Sequence, residues 1–351
     1  MELKEYLQKA YEMGASDIFV LPAAPVSCKV KGDVVPVGTD ILKPADTKEL
    51  VEEAYELAHR KIELLDEEGD DDFSFALPGI SRFRCNCYYQ RGTLAATLRM
   101  ITFSLPNPAD LGIPQGIVEL GKIKSGMILV TGPAGSGKST TLACIIDWIN
   151  NNRKGHIVTI EDPIEYLHKH KKSIISQREV PNDARTFPRA LRAALRQAPE
   201  VIMLGEMRDL DTIQTAITAA ETGHLVLSSL HTTGAAKTVD RIIDIFPAEQ
   251  QAQIRMQLSV VLKAVVSQRL LQRKDGGQTA VFEMMTVNTA IQNLIRDGRT
   301  HQIENAIFSG AAQGMMSMDM ELMRLYRSGA ITKENALLYA VSPETLEKRL
   351  I

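Results

Sequence analysis

The sequence is poor in several things. Of its 351 residues one is tryptophan, four are cysteine and 5% are aromatic. The cysteines, Cys28, Cys85, Cys87 and Cys144, contain no C-x-x-C pair. Cys85 and Cys87 fall on one face of a strand, a poor disulfide geometry, so free thiols in a reducing cytoplasm are expected. No apolar run, Met127–Val130 among the longest, approaches the ~18–20 residues of a membrane span. The opening MELKEYLQKA is charged from its second residue and has no apolar h-region, so no signal peptide is expected. Neither sign of charge dominates: 40 basic and 43 acidic residues leave −3, which gives no global footprint for nucleic acid. No repeat of fixed period is visible. What is present is ordinary for a globular protein, 44% hydrophobic and 24% charged, which excludes disordered, collagenous and low-complexity classes. The length suits about two domains of ~100–200 residues, with a core that needs neither disulfides nor a structural metal.

Residues 1–104 carry 12 Lys/Arg against 18 Asp/Glu, a net of −6, while the remainder carries +3. Helical spacing of Leu3, Tyr6, Leu7, Ala10 and Tyr11 predicts a helix over 1–14. Short alternating segments follow at 16–21, 26–30 and 34–37, with a turn signal at Gly32-Asp33, then a helix near 44–60 and strands at 71–76, 81–90 and 94–100. The acidic run 67–72 is expected to be a solvated loop. This is an α+β module. Three prolines and a glycine in LPNPADLGIP, 105–114, mark an interdomain linker, taken as 105–116. From Gly126 onward apolar strand runs alternate with helical stretches, which predicts an α/β domain over 117–351 with a mostly parallel sheet covered on both faces. After Gln250 the pattern is helical, interrupted by Gly276-Gly277 and a short apolar segment at 279–284. Met315, Met316, Met318, Met320 and Met323 are expected to fill gaps in a helical core or interface.

The strongest signal is Gly132-Pro133-Ala134-Gly135-Ser136-Gly137-Lys138-Ser139-Thr140. It satisfies G-x-x-x-x-G-K-[ST] at every fixed position, after an apolar strand and before a helix. Glycines let successive N–H groups turn inward at phosphate oxygens, and the helix that starts there adds a positive dipole end. Lys138 supplies a cation for the β/γ-phosphates, and Ser139 a hydroxyl for Mg²⁺.

Phosphoryl transfer also needs a group that orients water. Two acidic clusters close apolar strands: Glu161-Asp162-Pro163-Ile164-Glu165 and Gly205-Glu206-Met207-Arg208-Asp209. Strand ends of a parallel sheet are where ligands bind. Gly205 stands where an ordinary Walker B strand has aspartate, and Glu206 follows it. Asp209 also suits an N-cap, and a solvated loop charge is the alternative for any one of these carboxylates. His231 closes a third strand, where it is placed to sense a γ-phosphate, while His224 has an equal claim to a structural role. The basic cluster 168–172 faces either a partner or a nucleotide phosphate, with a solvated face as the alternative, and Trp148 is expected in the core.

In combination GPAGSGKSTT, TIEDPIEYLH, LGEMRD and TGHLVLSSLHTTGAAKTVDRIIDIFP resemble the Walker A, Asp box, Walker B and His box of the secretion ATPase superfamily, whose members power type IV pili and type II secretion. Within it the chain resembles the pilus-retraction, or twitching-motility, branch. GASDIFV, HKKSIISQREV and RALRAALRQAPEVIMLGEMRDLDT follow that branch, and residues 291–298 resemble its C-terminal AIRAGE-type helix. Ala134, Ile291-Gln292 and Asp297 depart from the usual residues. The extra N-terminal domain and the tetracysteine zinc module of many assembly ATPases have no counterpart, so no structural zinc is expected.

The resemblance implies a PAS-like N-terminal domain (1–104) and a RecA-like P-loop ATPase domain (117–351), assembled as a homohexameric ring. Its cofactors would be ATP and Mg²⁺, and its activity Mg-dependent ATP hydrolysis coupled to mechanical work. ATP would lie between the domains, with a hinge at the linker. Lys138 and the loop 132–140 would grip phosphates, Ser139, Glu161 and Glu206 would serve the metal, and Glu206 would activate water. Glu165 would complete the shell, and His231 would contact the γ-phosphate. Arg82 and Arg84, which alternate onto one strand face, together with Arg99 and Arg91, would supply cations from the N-terminal domain; a solvated strand face is their alternative. The partner would be an inner-membrane pilus platform protein, and indirectly the pilins, with the protein on the cytoplasmic face of that membrane. Competing readings are a pilus-assembly or type II secretion ATPase, a RecA-like nucleic-acid translocase, and a ring subunit that binds nucleotide without hydrolysing it.

Overall fold

The computed structural model describes residues 1–101 and 105–350; the expected boundary at 104 and the terminal residue 351 lie outside the described residues. The chain divides into two compact units, Met1–Ser104 with Glu165–Leu167, and Leu105–Ile164 with His168–Ile351.

The first unit runs α1 (Leu3–Glu12), β1 (Asp17–Val20), β2 (Ser27–Val30), β3 (Asp33–Pro36), α2 (Pro44–Leu57), α3 (Glu63–Glu68), β4 (Asp70–Leu77), β5 (Ser81–Gln90) and β6 (Thr93–Ile101). The strands form one antiparallel sheet, ordered β3-β2-β1-β6-β5-β4. Leu3, Tyr6, Leu7 and Ala10 of α1 and Leu50, Val51 and Ala54 of α2 are buried in one core with Ile18, Phe73, Phe83, Cys85, Cys87 and Leu98. Alternation is therefore strict: on β5 the core takes Ser81, Phe83, Cys85 and Cys87, and the other face takes Arg82, Arg84 and Asn86. The β2–β3 turn is Lys31-Gly32, both at positive φ (51° and 101°), one residue earlier than expected. The acidic run is not a solvated loop. It closes α3 and opens β4, and Asp71 is buried, accepting two hydrogen bonds of 2.8 Å from Arg60 and one of 3.0 Å from Tyr55.

The second unit runs α4 (Gln115–Val118), β7 (Gly126–Thr131), α5 (Lys138–Asn152), β8 (His156–Glu161), β9 (Ile174–Glu179), α6 (Phe187–Ala194), β10 (Val201–Leu204), α7 (Leu210–Glu221), β11 (Leu225–Leu230), α8 (Ala235–Asp244), α9 (Ala248–Val261), β12 (Leu262–Gln272) and β13 (Gln278–Thr286). It ends with α10 (Thr289–Arg296), α11 (Ile303–Ser309), α12 (Met318–Arg327), α13 (Lys333–Tyr339) and α14 (Pro343–Arg349). Its seven-stranded sheet, β13-β12-β7-β11-β10-β8-β9, is parallel except at β13. Alternate residues of the central strands enter two cores. Met127, Leu129, Val158, Ile202 and Val226 face α6–α9, whereas Ile128, Val130, Ile157, Met203 and Leu227 face α4 and α5. Burial on both faces is why these strands read as continuous apolar runs.

The stretch read as helical after Gln250 contains the eleven-residue strand β12. LKAVVSQRLLQ carries apolar residues on both of its faces because both faces are covered, so its alternation is lost. Residues 105–114 group with the second unit, closed by a 2.9 Å bond from Ile113 N–H to Pro108 O, with Ile113 in the core. Segment 168–172 is tied to α5: Asn150 donates to Lys169 O at 2.7 Å and accepts from Lys171 N–H, and Lys171 pairs with Asp147. Trp148 of α5 rests on Gly121, where a Cβ would lie 2.6 Å from the indole ring, so only glycine fits. Of the methionines, Met315 and Met318 are buried, and Met316 exchanges two backbone hydrogen bonds with Met284 of β13. Among the described residues no helix is long and apolar enough to cross a membrane.

Candidate functional site

Four neighbouring parallel strands end on one edge of the second sheet. Their order and register bring together Thr131 of β7, Leu230 of β11, Leu204 of β10 and Glu161 of β8. Residues 132–137, Glu206 and His231 continue from that edge, so four distant motifs become neighbours because parallel strands share a direction.

The loop after β7 turns on Gly132 (φ 147°), where a Cβ would lie 2.1 Å from Gln268 O of β12. Gly137 N-caps α5, and Lys138 and Ser139 form that helix's first residues. Lys138 is buried, and its Nζ donates to the carbonyls of Gly132 and Pro133 at 3.0 Å each, folding the loop around the ammonium. Among the described residues, neither Ser136 Oγ, buried inside the loop, nor Thr131 Oγ1, at the end of β7, has a hydrogen-bond partner. Orphaned polar groups at a helix N-terminus fit a phosphate group, whose oxygens accept from such donors. Pro133, Ala134 and Gly135 form the exposed lip of the loop.

Glu161 is buried at the end of β8, accepting from Thr159 Oγ1 at 2.6 Å and from Gln177 Nε2 at 3.2 Å. Gln177 lies on β9, a strand not expected from the sequence, and also accepts His168 N–H at 2.8 Å. Its signal was alternation too short to separate from a loop. Glu165 is exposed on the segment beyond β8. Gly205 N–H donates to Ile160 O, and Ser229 Oγ donates to Gly205 O at 2.6 Å, so the turn into Glu206 is held on both sides. Both carboxylate oxygens of Glu206 are engaged. Arg208 Nη2 donates to Oε1 at 2.5 Å and His231 Nε2 donates to Oε2 at 3.0 Å. The hydrogen bond and charge of Glu206 push the guanidinium of Arg208 above its ordinary pKa. Arg208 was not singled out in the sequence, since an arginine after a strand is ordinarily a surface charge.

Asp209 N-caps α7 by accepting Thr212 N–H. His224 closes the other end of the same helix: its Nδ1 lies 3.0 Å from Ala219 O, and because a carbonyl only accepts, Nδ1 carries the proton. His224 thereby ties off the end of α7.

In the first unit Arg84 and Arg99 are direct cross-strand partners, with Arg82 two residues before Arg84 on the same face. Arg99 pairs with Asp17 at 3.0 Å, and Arg84 with Asp72 at 3.9 Å. Burial raises the Asp17 carboxyl, but hydrogen bonds from Arg99 and Ser16 and the charges of Arg99 and Lys29 outweigh it and hold it below its ordinary pKa. Arg91 occupies the β5–β6 turn with Gly92, at the opposite end of the hairpin from Arg82, and does not join this group.

The profile of the Type II/IV secretion system protein family matches residues 114–338. The chain is 44% identical over 345 residues to the type IV pilus retraction ATPase PilT of Pseudomonas aeruginosa, covering 98% of this chain and 99% of that protein. It is 40% identical over 347 residues to the type IV pilus ATPase PilU of the same organism, covering 99% and 90%. A crystal structure of the pilus retraction motor PilT with bound ADP superposes with a TM-score of 0.88 at 46% identity, covering 99% of each chain. The strand-loop-helix, the acidic strand ends and this likeness over nearly the whole length agree: the chain belongs to the Type II/IV secretion system protein family of ATPases.

Proposed function

We propose that this protein is a Mg²⁺-dependent ATPase that works as a homohexameric ring and drives type IV pilus retraction. The observation that carries the reading is the convergence of the phosphate loop, Glu161, and the His231–Glu206–Arg208 cluster on one sheet edge. Likeness to a pilus retraction ATPase over 98% of the chain supports the direction of the motor.

Lys138, the loop amides of 132–137 and Thr140 would bind the phosphates of ATP. Mg²⁺, held by Ser139 with Glu161 and Glu206 around its water shell, would offset the phosphate charge. Glu206 would orient the attacking water and take its proton on a remaining lone pair, while Arg208 and His231 keep the carboxylate aimed and His231 reports the γ-phosphate. Glu165 would complete the polar shell. Arg82, Arg84 and Arg99 of the PAS-like unit would supply further cations to the nucleotide in the assembled ring. The ring would engage an inner-membrane pilus platform protein, and pilins through it, at the cytoplasmic face.

Two measurements test this. Lys138→Ala should abolish ATP hydrolysis by the purified chain. Deleting the gene in its host should leave abundant surface pili and no twitching. Bald cells would instead assign the motor to pilus assembly, and DNA-stimulated hydrolysis would favour a translocase.

A further inference from the structure

Two consecutive residues of β12 hold the two functional loops from opposite faces of the sheet. Gln268 faces α5. It is buried; its Nε2 donates to Ser136 O at 2.5 Å, and its Oε1 accepts from Thr141 Oγ1 at 2.7 Å. The amide cannot be reversed, because Ser136 O has no proton to give. In a trans peptide the C=O and the following N–H point in opposite directions. Drawing Ser136 O toward Gln268 therefore turns Gly137 N–H the other way, into the concave side of the loop. Ser267 faces α8. Its Oγ accepts Gly234 N–H at 2.8 Å, and Glu283, its register partner on β13, accepts Ala235 N–H at 2.8 Å. These are the N-terminal donors of α8, three and four residues after His231. Glu283 also accepts a backbone hydrogen bond from Met318 at the start of α12.

We infer that Ser267 and Gln268 are positioning residues: Gln268 sets the phosphate-loop amides that bind nucleotide, and Ser267, with Glu283, sets the loop that presents His231 to Glu206. The inference rests on the proposed nucleotide chemistry of this site and goes beyond it, because it predicts separable defects from neighbouring residues. Gln268 acts on binding, and Ser267 acts on turnover. Neither side chain need touch substrate.

The test uses the full-length protein, with equilibrium binding of fluorescent ADP, steady-state ATP hydrolysis and thermal melting as controls. Gln268→Met keeps the side-chain length and removes both the donor to Ser136 O and the acceptor of Thr141 Oγ1. ADP affinity should fall about ten-fold, the worth of one well-formed hydrogen bond, with a smaller loss in kcat. Ser267→Ala should lower kcat about ten-fold and keep ADP affinity within about two-fold. Thr141→Val, which frees the Gln268 amide, should repeat the Gln268→Met direction more weakly, and it serves as the test if Gln268→Met does not fold. Equal losses of affinity and turnover in both β12 variants would mean general loosening of the strand and overturn the inference. So would unchanged ADP affinity in Gln268→Met and Thr141→Val alongside active wild type. A wild-type chain that binds no ADP overturns the proposed function itself.

Discussion

His231 Nε2 lies 3.0 Å from Glu206 Oε2, across the ends of two neighbouring parallel strands. With Arg208 on the other oxygen, Glu206 is a carboxylate with both oxygens engaged. Such a group is well aimed, and each oxygen keeps a further lone pair on which it can receive a proton. Glu206→Gln should keep ATP binding and lose turnover by about 10²-fold or more, as expected for loss of a general base. Normal turnover in this variant would remove Glu206 from the reaction. Arg208→Ala should change kcat with little effect on ADP affinity, read in the same assay.

Arg84 and Arg99 face each other directly across β5 and β6, an arrangement that favours neither strand pairing nor stability. Their acidic neighbours Asp72, exposed, and Asp17, largely covered, offset the repulsion in part. Arg84→Thr should therefore leave unfolding free energy within about 0.5 kcal/mol of wild type while reducing ATP turnover. A urea titration beside a hydrolysis assay separates the two. Lost stability with intact turnover would make this face structural.

Burial lowers the His168 pKa from its ordinary value to about 4, against the opposing pull of Asp147. The unfolded chain therefore takes up this proton first as the solution is acidified. The corresponding stability is fully present above about pH 6.5 and is lost between there and pH 4, up to about 3 kcal/mol. His168→Phe should flatten that part of the pH dependence, measured as urea midpoints from pH 7 to pH 4.

Asp71 is buried under Arg60 and Tyr55. Asp71→Ala would strand a guanidinium that is itself mostly covered, and should destabilise the first unit by about 3 kcal/mol. Partial unfolding in a thermal scan, with ADP binding by the second unit retained, is the expected readout.

The parts of this molecule that follow local rules were legible in its sequence. The phosphate loop was, because glycines, lysine and serine at fixed spacing have one backbone solution. The β4–β6 meander was, because one face is wet and alternation survives. Asp209 was, as a cap. What could not be read depends on partners distant in sequence. β12 hides its period because helices cover both faces. Asp71 looks like one of five surface acids in the run 67–72 until Arg60 is seen eleven residues away. Gln268 and Ser136 are 132 residues apart, and nothing in VSQRL marks its glutamine as the floor of the loop. Glu161 and Glu206 were visible as strand ends, but Arg208, two residues from Glu206, gains meaning only once the segment after β10 turns its guanidinium back onto that carboxylate.

The packing of Trp148 on Gly121 has a practical consequence. It is the sole indole in the chain, ten residues, or roughly 15 Å, along the helix that begins with Lys138. Its emission is therefore an optical gauge built into the nucleotide helix and unmixed with any other tryptophan signal. Any displacement of α5 against Gly121 changes the contact between ring and glycine, so such a movement can be timed in a stopped-flow instrument without attaching a dye.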